Sequence, residues 1–159
     1  MEVSSIQPPN RWQHAWYPVA FVRDLDPLKP TPFTLMGQDL VLWFERNSQE
    51  WRAFADVCPH RLVPLSDGRL NAEGELECPY HGWAFNGAGQ CTAIPQAEPG
   101  STFSQRSHCR SYATATGQGL LFVYSGEATE AAEQPLPLVP ALDEPGWLVQ
   151  DTFRDLPMD

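Results

Sequence analysis

Two short segments of this chain share one design. They are Cys58-Pro59-His60-Arg61 and Cys78-Pro79-Tyr80-His81-Gly82-Trp83, with 17 residues between His60 and Cys78. Each follows a candidate strand, Trp51–Ala55 before the first and Gly74–Glu77 before the second, and each turns at a proline. Two hairpin tips of this kind can face one another and present two sulfurs and two imidazoles. The fold must therefore bring two turns, distant in sequence, face to face.

Three readings of that ligand set compete. A Cys2His2 zinc site uses the same four side chains. Zinc fingers, however, pair Cys with Cys and His with His along the chain, whereas each tip here supplies one of each. A purely structural reading makes the cysteines small core residues and the histidines hydrogen-bonded side chains. The third reading is a [2Fe–2S] cluster held by Cys58, His60, Cys78 and His81. Thiolates are strong ligands for iron, and neutral imidazoles reduce the negative charge on one iron and raise its potential. Four candidate ligands flanked by Pro and Gly at this spacing favour the cluster.

The cellular setting bears on the same choice. Met1-Glu2-Val3-Ser4-Ser5 has neither the basic and apolar regions of a secretory signal nor the Arg-rich character of a transit peptide. The expected location is the cytoplasm, where thiols stay reduced and paired Cys and His spacings point to metal rather than disulfides. No apolar run approaches the roughly 18–20 residues of a membrane span. A net charge of −10 argues against nucleic acid, which needs clustered Lys and Arg.

The 159 residues suit one ordinary domain, and 16 prolines with 11 glycines imply many turns and few long helices. The expected fold class is all-β and antiparallel. Residues 1–14 read as a polar lead-in and Trp16–Val22 as the first strand. Asp24–Pro32 is a loop. Phe33–Met36 and Asp39–Glu45 form a hairpin around Gly37-Gln38-Asp39. Trp83–Asn86 and Gln90–Ala93 flank a Gly87-Ala88-Gly89 turn. Pro95–Gln105 is a loop. Cys109–Thr116 pairs with Gly119–Tyr124 through Gly117-Gln118. Trp147–Arg154 is a last strand. The expected division is a cluster domain over 1–125, an exposed linker or wrapping arm over 126–146 with Glu, Ala and four prolines, and the start of a further domain over 147–159.

The tip motifs resemble those of the Rieske non-haem iron oxygenases. Trp16-Tyr17-Pro18-Val19, the string Cys58 to Leu65, and Phe85-Asn86-Gly87 through Cys91 to Ile94-Pro95-Gln96 are similar to the pheophorbide a oxygenase and chlorophyllide a oxygenase branch, over about residues 12–125. The resemblance implies an antiparallel Rieske-type fold with a small cluster-binding subdomain of two hairpin tips. It implies that Cys58 and Cys78 hold the buried iron, and that His60 and His81 hold an outer iron near the surface. It also implies a ferredoxin or reductase as electron donor, a mononuclear-iron catalytic domain as acceptor, and possible homo-oligomers of the intact enzyme.

Respiratory Rieske proteins differ at four positions. Their two extra cysteines correspond to Val63 and Tyr80, and their Ser and Tyr, which bond to cluster sulfurs, correspond to Trp83 and Phe85. With no disulfide and no hydroxyls here, a low-potential centre is expected. The family's second site, an iron(II) held by two His and one carboxylate, needs ligands this chain lacks. Its four histidines are His14, His60, His81 and His108. Phe153–Asp159 resembles the passage into the family's catalytic domain. The expectation is the electron-transfer part of a longer oxygenase; the alternatives are a free-standing Rieske-type ferredoxin or redox-sensing module, or a zinc-stabilised domain. Cys91 and Cys109 are expected to be core residues, and His14 and His108 hydrogen-bonded or surface side chains. Arg61 is a steering charge or a salt-bridge partner. Asp56 and Asp67 contact a donor or cap turns.

Overall fold

The apolar run Leu40–Phe44 is too hydrophobic to face water on either side, and the fold buries it on both. A computed structural model describes residues 13–146, 148–150 and 152. Its strands are β1 (Trp16–Phe21), β2 (Thr31–Leu35), β3 (Gln38–Glu45), β4 (Glu50–Ala55), β5 (Arg69–Leu70), β6 (Leu76–Glu77), β7 (Ala84–Phe85), β8 (Cys91–Ala93), β9 (Ser111–Tyr112), β10 (Thr114–Gly117) and β11 (Leu120–Tyr124). Three antiparallel sheets result, in the orders β1-β11-β10, β2-β3-β4-β9 and β5-β6-β7-β8. The helical elements are one α-turn, Ala128–Ala131, and short 3-10 turns. The all-β expectation holds.

Side chains alternate along a strand, so β3 divides the interior in two. Leu40 and Leu42 join Val19, Trp51, Ala53, Leu121 and Val123 in a core shared with the β1-β11-β10 sheet. Val41 and Trp43 point the other way, into a core with Phe54, Leu65, Leu76, Phe85 and all four cysteines. Pro32, which cannot donate to a ladder, lies on β2 at the sheet edge.

Both long hairpins turn one step away from the expected residues. The turns are Met36-Gly37, with φ of 48° and 77°, and Gln118-Gly119, with φ of 51° and 78°. Two consecutive left-handed residues match the twist of the flanking strands in a two-residue hairpin. Glycine fills the second slot in each, and Met36 and Gln118 carry the strain of the first. The expected strand Cys109–Thr116 is divided. Ser111–Tyr112 pairs with β4, and after Ala113 the chain passes to β11 in the other sheet.

The segment 126–146 lies against the body. Trp16 Nε1–H donates to the Gln134 carbonyl at 2.9 Å. The Gln118 amide donates to the Val139 carbonyl at 2.8 Å and accepts from its N–H at 3.0 Å. The expected last strand is not formed at Leu148–Gln150, where Leu148 is 94% exposed. Among the described residues no strand pairs with it. Apart from Thr152, which is not in a strand, the rest of that stretch and nearly all of the lead-in lie outside the described residues.

Glu45 ties the two sheets that carry the tips together. At the end of β3 its carboxylate accepts from Ser48 Oγ (2.6 Å), Arg52 Nε (2.9 Å) and the N–H of Gly87 (2.7 Å), in the β7–β8 turn. Burial pushes this carboxyl up, but the bonds from Ser48, Arg52 and Gly87 outweigh it and hold the pKa below its ordinary value of 4.5. A depressed folded-state pKa contributes stability above the unfolded value, lost as pH falls through the folded one. Glu45→Gln is expected to lower stability by about 2 kcal/mol at pH 7. The gap from wild type closes as pH drops below the folded pKa. Urea unfolding at pH 7 and pH 3 measures both.

Candidate metal centre

The two tips are built on the same backbone frame. In the first, Cys58 N–H donates to the Val63 carbonyl at 2.8 Å and Leu62 N–H to the Cys58 carbonyl at 2.9 Å. In the second, Cys78 N–H donates to the Trp83 carbonyl at 2.8 Å and Gly82 N–H to the Cys78 carbonyl at 3.2 Å. Each six-residue loop closes through a left-handed fifth residue, Leu62 at φ 58° and Gly82 at φ 71°. The frame explains the differing spacings. The His is third in one loop and fourth in the other, so two equivalent turns facing one another offer different edges.

Flanking contacts hold the tips. Asp56, just after β4, accepts from the backbone N–H and hydroxyl of Ser66 at 2.7 and 2.6 Å, spanning the first tip. Asp56 is thus a turn cap. Gln96 Nε2 donates to the His81 carbonyl at 3.1 Å. Gly68 brings the first tip's exit against β6, where a Cβ would meet the Glu77 carbonyl oxygen at 2.2 Å.

The four candidate ligands separate into two pairs. Cys58 and Cys78 are buried, at 2% and 3% exposure, in the apolar core. The imidazole of His60 is exposed and that of His81 half-buried, with ring centroids 4.8 Å apart. His60 stacks on Trp83 at 4.5 Å and 4°, and Tyr80 lies 4.0 Å from His81. Burial, with Cys78 beside it, pushes the Cys58 thiol up to about 11. Such a thiol is deprotonated only in exchange for a metal cation. The His60 pKa is lowered, by desolvation first and then by His81 and Arg61, which favours the neutral, ligating imidazole. His81 Nδ1 is buried and has no hydrogen-bond partner.

Among the described residues, no three His, Cys, Asp or Glu side chains converge on a point suited to one metal ion. A single zinc would need all four ligands within about 2.0–2.3 Å of one centre. A dinuclear cluster asks for two thiolates at one end and two imidazoles at the other. An inner sulfur pair, an outer imidazole pair and an unpartnered ring nitrogen fit the cluster.

The remaining candidates fall outside this constellation. Cys91 and Cys109 are free thiols in the core below the tips, both raised by burial, Cys91 to about 11. His14 Nδ1 pairs with Glu130 at 2.7 Å. His108 closes a 3-10 turn through its N–H. Sequence reasoning missed Gly68 and Glu45; the Asp67-Gly68-Arg69 triplet was the one available signal for the first.

A family model described as the Rieske [2Fe-2S] domain matches residues 15–116. The chain belongs to this family, whose members carry a [2Fe–2S] cluster. It is 48% identical to "Pheophorbide a oxygenase, chloroplastic" of Arabidopsis thaliana over 92% of this chain and 29% of the relative. It is 31% identical to "Chlorophyllide a oxygenase, chloroplastic" of the same plant, covering all of this chain and 28% of the relative. The crystal structure of dicamba monooxygenase superimposes with a TM-score of 0.75 at 31% identity, over 84% of this chain and 41% of that one. The chain thus spans less than a third of the length of these curated relatives.

Proposed function

We propose that Cys58 and Cys78 hold one iron and His60 and His81 the other. In this reading the domain passes single electrons to the mononuclear iron of an oxygenase that acts on a chlorophyll-type macrocycle. The observation that carries this is the pairing of two buried thiols with two less buried imidazoles on matching loops. When bound, the cluster supplies one-electron redox chemistry.

The protein's own part is to insulate one end and expose the other. The core around Cys58 and Cys78 excludes water, while the His60 and His81 rings offer the short path to a partner. Tyr80 and Leu62, 61% and 73% exposed, flank that path, and Arg61 places a positive charge there. A ferredoxin or reductase is the donor. The acceptor is a catalytic domain in the longer protein, whose relatives extend well beyond the matched region.

An anaerobic redox titration followed by EPR tests the reading. The expected result is one reducible [2Fe–2S] centre per chain with a potential toward about −150 mV, the lower end for such centres. A clearly positive potential overturns the low-potential assignment, and a colourless, EPR-silent reduced protein overturns the cluster itself.

A further inference from the structure

Trp83 holds a hydrogen-bond donor with nothing to donate to. Its indole lies flat on the His60 ring and packs against the core that contains Cys58 and Cys78. Its Nε1 is nonetheless buried and unpartnered. An indole nitrogen is a donor only, so no rotation or tautomer relieves it.

Three buried side-chain nitrogens share this state among the described residues: Trp43 Nε1, His81 Nδ1 and Trp83 Nε1. The Trp43 and Phe54 rings meet in a T-shape, at 5.4 Å and 72°, on β3 and β4 rather than on the tips. His81 Nδ1 is a lone pair suited to iron. Trp83 Nε1 is two residues from His81 on the same loop, and its ring covers the opposite tip's imidazole. Both orphans thus belong to the second tip, whose Trp83 ring also covers the imidazole of the first.

The geometry points to Trp83 as a positioning residue for the cluster: its stacked indole fixes the plane of His60, and its Nε1–H donates to a cluster sulfur. This rests on the ligand assignment proposed above. Sulfide and thiolate sulfurs gain negative charge when the centre accepts an electron, so an N–H donor stabilises the reduced state more than the oxidised one. One indole N–H then stands where respiratory Rieske proteins place a serine hydroxyl.

Trp83→Phe keeps a flat ring for His60 and removes the N–H. In cluster-loaded protein the expected result is a retained [2Fe–2S] EPR signal with reduction about tenfold less favourable, a midpoint about 59 mV more negative for a one-electron couple. Protein carrying 15N at the tryptophan indole nitrogen supplies a second readout. Pulsed EPR of the reduced, unaltered protein is expected to show a 15N coupling that Trp83→Phe abolishes. An unchanged midpoint, or no indole coupling in the unaltered protein, overturns the inference and leaves the ligand assignment standing. If Trp83→Phe does not assemble, the coupling in the unaltered protein decides alone. Absence of any [2Fe–2S] signal from unaltered protein overturns both.

Discussion

Cys78→Ala is expected to yield a colourless protein with cluster content at least tenfold below wild type, whereas Cys91→Ala stays coloured. Both cysteines are buried in the same apolar core, at 3% and 7% exposure. A difference between them therefore reports ligation rather than packing. Two thiolates offset the +2 charge of an oxidised Fe₂S₂ core; with one removed, an uncompensated charge would sit in apolar surroundings, which is strongly disfavoured. Cys91→Ala removes only a sulfur from a packed site, at a cost of about 1–2 kcal/mol. Visible absorbance, iron per chain and EPR make the comparison. The effect on the fold is expected to be local. The core facing the β1-β11-β10 sheet contains none of the cysteines, so amides of β5–β8 should exchange faster in Cys78→Ala while those of β11 stay protected. Equal cluster loss in both variants would count against the ligand assignment.

The parts of this molecule legible in its sequence are those with a local chemical signature. The tips were legible because four candidate ligands, prolines and a glycine fall within two short strings. β3 and β11 were legible because apolar runs this short, bounded by turn residues, suit buried strands. The hairpin turns were displaced because propensity places glycine in a left-handed slot but gives no hint that Met36 and Gln118 will take the preceding one. Leu62 is the same case: only its backbone equivalence to Gly82 shows that a leucine occupies a glycine-like position. The division at Ala113 depends on two different sheets competing for one run, a tertiary matter. Glu45 looked like an ordinary charge, and Asp56 like a donor contact or a turn cap, since nothing local says that Gly87, 42 residues on, or Ser66 will supply their donors. The zinc alternative likewise fell to information beyond these strings, the match of residues 15–116 to the Rieske [2Fe-2S] domain.

Gly68→Ala is expected to be as damaging to the site as loss of a ligand, although residue 68 touches no metal. Its backbone, at φ −83°, suits any residue, so conformational strain is not the cause. The cause is space. A Cβ there would lie 2.2 Å from the carbonyl oxygen of Glu77 and 2.9 Å from that of Leu65. Neither atom belongs to a flexible side chain. Glu77 immediately precedes Cys78, and its strand pairs with Arg69 and Ala84. Relief therefore requires the exit of the first tip to move away from the strand that feeds the second. The tips would separate, and the imidazoles they carry would no longer meet across one cluster. Overpacking of this kind costs about 3 kcal/mol or more, and with about 2–4 °C per kcal/mol at this size the melting temperature should fall by roughly 10 °C. Gly37→Ala provides the contrast. That glycine has φ 77° but nothing within 4 Å of its Cβ position, so only the left-handed backbone is penalised, by about 1 kcal/mol, and the cluster stays. Thermal unfolding and cluster content of the two variants, measured together, separate close backbone approach from backbone strain. A Gly68→Ala protein that melts and loads like Gly37→Ala would show that the tips tolerate displacement, and that their spacing is set elsewhere than at the contact between Gly68 and β6.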